Sequence, residues 1–133
     1  MVETFLFVYG TLRAGFDGPM ARRLRREARH VGPARATGAL YWVADYPGFV
    51  PEGDGRVAGD LFALDNAAAT LGWLDLYEEC APSFPAPHEY RRERMAVAGP
   101  EGPVEAWVYV YARATAGLER IISGDFLSDG QSG

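Results

Sequence analysis

The sequence predicts an α+β domain, on three observations. Most apolar segments are short, rich in aromatic and β-branched residues, and bounded by Gly, Pro, Asp or Asn, as strands are. Two separated stretches instead carry apolar residues at helical spacing. The 133 residues, 48% hydrophobic and 13% aromatic, suit a single core. The element order read from the pattern is strand, helix, two strands, helix, two strands. One domain is expected over residues 1–127, with a frayed tail at Ser128–Gly133.

The first strand, Phe5–Tyr9, has no polar alternation and reads as buried on both faces. It breaks at Gly10, where a backbone can turn or bring its amides close to a ligand. Gly10, Thr11 and Leu12 then present main-chain N–H groups suited to a carboxylate or an oxyanion. An ordinary strand followed by a turn fits the same residues. Asp17 and Pro19 mark the start of a helix at Met20–Ala28, with Met20, Leu24 and Ala28 on its apolar face. Arg22, Arg23, Arg25, Arg26 and Arg29 cover the remainder, read as a solvated face, with a polyanion or an acidic partner as the other reading.

Val31–Ala44 is extended, interrupted at Gly32-Pro33 and Gly38. Its second half, Ala39–Val43, is expected to pair with Val57–Leu64 across a loop at Asp45–Pro51 and a turn at Glu52–Gly55. The second helix is placed at Ala67–Glu79 behind an Asp65 or Asn66 cap. Ala67, Thr70, Leu71, Leu74 and Tyr77 share one face of it; Glu78 falls on the rim of that face and Glu79 nearly opposite. A carboxylate on an apolar rim loses water, which raises its pKa and suits proton transfer near neutrality. A surface acid at a helix end is the equal alternative. Cys80–His88, with three prolines, reads as a loop over whatever Glu78 faces, either a lid or a plain connection. Glu89–Val97 and Val104–Tyr111 are strands joined at Gly99–Pro103, and a short terminal helix is expected within Gly117–Phe126.

Composition narrows the chemistry. The single cysteine, Cys80, rules out an internal disulfide and multi-thiolate zinc, and with two histidines at no ligand spacing no metal site is expected. All 13 basic residues are arginine, which removes Schiff-base lysine chemistry. A net charge of −5 argues against nonspecific nucleic-acid binding, and no apolar run reaches membrane-spanning length. A cytoplasmic location is the expectation, and the oligomeric state is not set by sequence.

Seven segments, in order, carry a resemblance: Tyr9-Gly10-Thr11-Leu12-Arg13, Tyr46-Pro47-Gly48, Val57-Ala58-Gly59-Asp60-Leu61-Phe62, Leu74-Asp75-Leu76-Tyr77-Glu78, Tyr90-Arg91-Arg92, Ala106-Trp107-Val108-Tyr109 and Ser123-Gly124-Asp125-Phe126. The set resembles the gamma-glutamylcyclotransferase-like family, in its small bacterial branch. The resemblance implies a small mixed β-barrel with flanking helices, which pattern alone does not. It also implies an enzyme that cyclises a γ-glutamyl amine or amide to 5-oxoproline plus free amine, without metal or cofactor. Glu78 would be the general acid/base, the Tyr9–Leu12 backbone would hold the glutamyl end, and Tyr90 and Tyr109 would hydrogen-bond it. Thr11 stands where many members have serine, and Glu79-Cys80 where many have glycine. Two other readings use the same fold: a non-catalytic module binding a small carboxylate, and an interaction domain working through the arginine helix.

Overall fold

In the computed structural model, which describes residues 3–10, 12–13, 18–78 and 88–127, the chain is organised around β1 (Thr4–Val8). Thr11, the proline-rich stretch 79–87 and the tail 128–133 lie outside the described residues, and with them the expectations of a lid and a frayed terminus. Leu6, Phe7 and Val8 are all buried, so β1 is enclosed on both faces as its uninterrupted apolar run predicts. It pairs antiparallel with β5 (Arg56–Leu64) and parallel with β7 (Gly102–Tyr111). β5 pairs with β2 (Ala28–Thr37), β2 touches β6 (Tyr90–Gly99), and β6 forms a hairpin with β7. The result is a closed five-stranded mixed barrel in the order β1-β5-β2-β6-β7.

A smaller sheet stands beside it, in the order β4 (Pro47–Val50), β3 (Ala39–Trp42), β8 (Glu119–Arg120). This corrects three expectations. Ala39–Val43 does not pair with Val57–Leu64: the Gly38 amide bonds to Gly55 O at 2.8 Å, and the chain leaves the barrel there. The segment predicted as a loop at Asp45–Pro51 contains β4, turned tightly back on β3 by a Val43 N–H to Tyr46 O bond of 3.0 Å. Pro47 is the first residue of an edge strand, a place where proline is tolerated, so its turn signal misleads. Within Gly117–Phe126 the described backbone forms the two-residue β8 and turns, and becomes helical only at Phe126 and Leu127.

Helix α1 (Pro19–Glu27) starts with proline in its first turn and buries Ala21 and Leu24. Arg23 bonds to Glu27 at 2.9 Å and lies 4.3 Å from the Trp73 ring, while Arg29 pairs with Glu3 at the surface. Helix α2 (Ala67–Tyr77) is capped by Asn66, which accepts from the Ala69 N–H at 3.3 Å. It ends two residues before the predicted Glu79, leaving Glu78 as the C-cap. No helix among the described residues is long and apolar enough to cross a membrane.

Strand alternation sorts the apolar side chains into two shells. Phe7, Tyr9, Phe49, Val57, Leu61, Val108 and Val110 belong to the cluster inside the barrel. Leu6, Val8, Leu24, Phe62, Leu71 and Leu74 fill the layer between barrel and helices. Gly124 ties the C-terminal segment to this frame: its carbonyl accepts the Ala58 N–H at 2.7 Å, and its φ is +70°. A Cβ there would sit 2.1 Å from the Arg56 carbonyl oxygen. Gly124→Ala is therefore expected to cost about 1–3 kcal/mol in urea unfolding, from the left-handed backbone and the clash together. A neutral result would mean that the contact relaxes freely.

Candidate active site

Where β1 ends, the chain leaves the barrel and lines a cleft of about 420 Å³. Phe7, Val8, Tyr9, Gly10 and Leu12 form one wall, Tyr46-Pro47 from the β3–β4 turn the next, and Glu78, Glu89, Tyr90 and Tyr109 the side under α2. Gly10 has no positive φ; the need for glycine comes from close approach, because a Cβ would lie 2.8 Å from Pro47 Cγ. Arg13 fixes the same turn. Its N–H closes back to Gly10 O at 3.1 Å, and its guanidinium reaches Asp60 at 3.0 Å and Asp125 at 2.8 Å. Asp60 also meets His30 Nε2 at 3.0 Å. The charge of Arg13 is thus spent on the scaffold rather than offered to a ligand.

Glu78 is half-buried and lines the cleft. Two causes push its carboxyl up to about 7: loss of water among close-packed neighbours, and then the nearby Glu89 carboxylate. Its place at the negative end of α2 acts in the same direction. Tyr9 and Tyr90 are also pushed above the ordinary phenol range, first by burial, with the Glu78 charge adding to both. Glu78, Tyr9 and Tyr90 line the same cleft, so the charge of one acts on the others with little water between. The described lining includes Asp45, Glu78 and Glu89 and no basic side chain. Among the described residues, no three carboxylate, thiol or imidazole groups converge as a metal ion would need.

Of the residues singled out from sequence, Glu78, Tyr9, Gly10, Leu12, Tyr90 and Tyr109 all line this cleft, while Thr11 lies outside the described residues. Their hydroxyls are differently committed. Tyr9 donates to Tyr109 O at 2.6 Å and accepts the Phe49 N–H at 3.2 Å, bracing β7 against β4. Tyr90 donates to Pro47 O at 2.6 Å, and Tyr109 donates to Asp75 at 2.7 Å. Sequence reasoning passed over Glu89, which accepts a hydrogen bond from the Tyr46 hydroxyl and faces Glu78. The only local sign was an acid directly before a strand that starts with tyrosine. It also passed over the Asp75–Arg92 ion pair, whose partners are 17 positions apart.

Fold and cleft together define a small mixed-barrel protein with a protonatable carboxylate set among aromatic side chains. Residues 6–128 match the family described as gamma-glutamyl cyclotransferase, AIG2-like, and the chain belongs to that family. It is 41% identical to the gamma-glutamylcyclotransferase family protein YtfP of Escherichia coli over 88 residues, a match spanning 66% of each chain. That is just under two thirds of the relative's length. Over 128 residues it is 35% identical to the family protein ytfP of Citrobacter rodentium, covering 95% of this chain and 97% of the other. A gamma-glutamylaminecyclotransferase from Bos taurus is 31% identical over 121 residues, covering 80% of this chain and 65% of that one. The solution structure of E. coli ytfP superposes with a TM-score of 0.65 at 34% identity, covering 96% of this chain and all of the other.

Proposed function

We propose that this protein is a γ-glutamyl-amine cyclotransferase: it converts a γ-glutamyl amine to 5-oxoproline and the free amine. The observation that carries this reading is Glu78, its carboxyl raised to about 7 in the same cleft as Tyr9, Gly10 and Leu12. The reaction joins two atoms of one molecule, so the site's first task is to hold the glutamyl chain folded, α-nitrogen against the γ-carbonyl. Glu78 as carboxylate takes a proton from the α-ammonium, freeing the nitrogen lone pair to attack. The resulting oxyanion is served by main-chain N–H groups of the turn after β1. Glu78 then returns its proton to the departing nitrogen, the C–N bond breaks, and the ring nitrogen passes its second proton through Glu78 to the freed amine, leaving the neutral lactam. A carboxyl poised near 7 suits both halves of that exchange.

The lining favours amines over acids as leaving groups. With Asp45, Glu78 and Glu89 in the described wall and no basic side chain, a leaving group that ends in a carboxylate meets like charge. A γ-glutamyl alkylamine is expected to show kcat/KM about tenfold or more above a γ-glutamyl amino acid of similar length, equivalent to about 1.4 kcal/mol. Measuring 5-oxoproline release across a panel of such compounds tests both points. Equal rates, or a preference for acidic leaving groups, would remove the charge argument; no 5-oxoproline from any compound would remove the reaction. A module that only binds small carboxylates predicts that last result, and the described lining offers it no cationic side chain.

A further inference from the structure

We infer that Asp75, Arg92 and Tyr109 act as a positioning clamp for Glu78, and that Tyr109 serves the reaction through Asp75 rather than by touching substrate. The kinetic part of this inference rests on the cyclisation reading; the structural part does not. Leu71 and Leu74 bury the inner face of α2 against the barrel. Apolar burial is non-directional, so it sets the helix's distance from the barrel but only weakly its rotation or slide. Thr70 and Trp73 tie α2 to Glu27 of α1 at 3.3 and 2.9 Å, and Asp75 adds the directional bonds to the barrel itself, one turn of chain before Glu78.

Its carboxylate receives bonds from Arg92 Nε at 2.9 Å, an Arg92 terminal nitrogen at 3.2 Å and the Tyr109 hydroxyl at 2.7 Å. Arg92 on β6 and Tyr109 on β7 are register partners, so the donors come from one rigid place in the barrel. The Arg92 guanidinium also lies 4.5 Å from the Trp107 ring centroid, which restricts it further. The ion pair is largely sheltered, with side-chain exposures of 26% and 22%. A forked, charge-assisted pair of this kind carries geometric specificity as well as energy. Tyr109 has one hydroxyl proton and gives it to Asp75, leaving none to donate to a bound glutamyl group.

The test compares Tyr109→Phe and Asp75→Asn with wild type in two measurements. In 5-oxoproline release from a γ-glutamyl alkylamine, both variants are expected to lose about tenfold or more in kcat with KM within twofold. Misplacing a catalytic group by 1 Å is known to cost on this scale. In amide hydrogen exchange, both are expected to exchange about tenfold faster at Tyr77 and Glu78, with the β5 amides unchanged. Arg92→Lys, which keeps the charge but loses the fork, should fall between wild type and Asp75→Asn. If Tyr109→Phe raises KM and leaves kcat alone, Tyr109 is a substrate ligand and the clamp is wrong. Unchanged exchange at Tyr77 and Glu78 would overturn it equally. Should wild type release no 5-oxoproline, the cyclisation reading fails and the exchange result alone decides the clamp; Tyr109→Phe, which removes a single hydroxyl, keeps that decision available if Asp75→Asn does not fold.

Discussion

Glu78→Gln is expected to lower 5-oxoproline release by about 10²–10⁴-fold while making the protein more stable above pH 7. The two effects share one cause. Burial and the Glu89 charge raise the folded-state pKa of Glu78 to about 7, well above the range of an unfolded carboxyl. Between those two values the folded chain binds more protons than the unfolded one, so stability falls as pH rises and levels off above the folded pKa. Glutamine carries no such titration. The variant should therefore gain up to about 3 kcal/mol at pH 8, less whatever the cleft water screens, and nothing near pH 4. Urea unfolding of both proteins at pH 4 and pH 8 reads the difference. A variant that is inactive but no more stable at pH 8 would mean that Glu78 is ordinary and solvated.

The second large effect belongs to the scaffold. Asp60→Ala is expected to cost about 3–5 kcal/mol, because it leaves a sheltered guanidinium without its main partner. Asp60 is 6% exposed and takes bonds from both Arg13 and His30. Asp125 would remain on Arg13, but it is itself 35% exposed. Since Arg13 closes the turn lining the cleft, the variant should also bind substrate more weakly in proportion to the disorder of residues 10–13. A loss below about 1 kcal/mol would show that water replaces Asp60 easily.

Much of this architecture is readable from the chain, and the failures have local reasons. β1 announces itself by an unbroken apolar run, and Asn66 by its place before a helical wheel. Glu78 stands out because periodicity puts it, and not Glu79, on the apolar rim. By contrast, the parallel β1–β7 contact that closes the barrel joins residues about a hundred positions apart, beyond any window of local pattern. β4 was hidden by Pro47-Gly48, residues that signal turns but here begin an edge strand. Neighbouring strands usually pair, which misassigned β3 to β5; the break at Gly38 sends β3 into the second sheet instead. Glu89 and Asp75 carry no distinctive spacing, since their partners are made only by the folded barrel.

The resemblance segments gain a physical reading once assembled. Gly10 makes room for Pro47, Arg13 reaches Asp60 and Asp125, and Asp75 takes Arg92 and Tyr109. Each of these short motifs thus meets another only in the folded chain, which explains why their order along the sequence is more informative than any one of them.

The central claim is that the Glu78 carboxylate moves the protons of an intramolecular cyclisation. Its most direct test is the pH dependence of kcat/KM for 5-oxoproline release by the wild-type protein. The expected profile rises with pH through a midpoint near 7, as Glu78 of the free protein ionises and becomes able to accept the substrate's ammonium proton. A profile flat from pH 5 to pH 8, with turnover intact, would contradict it.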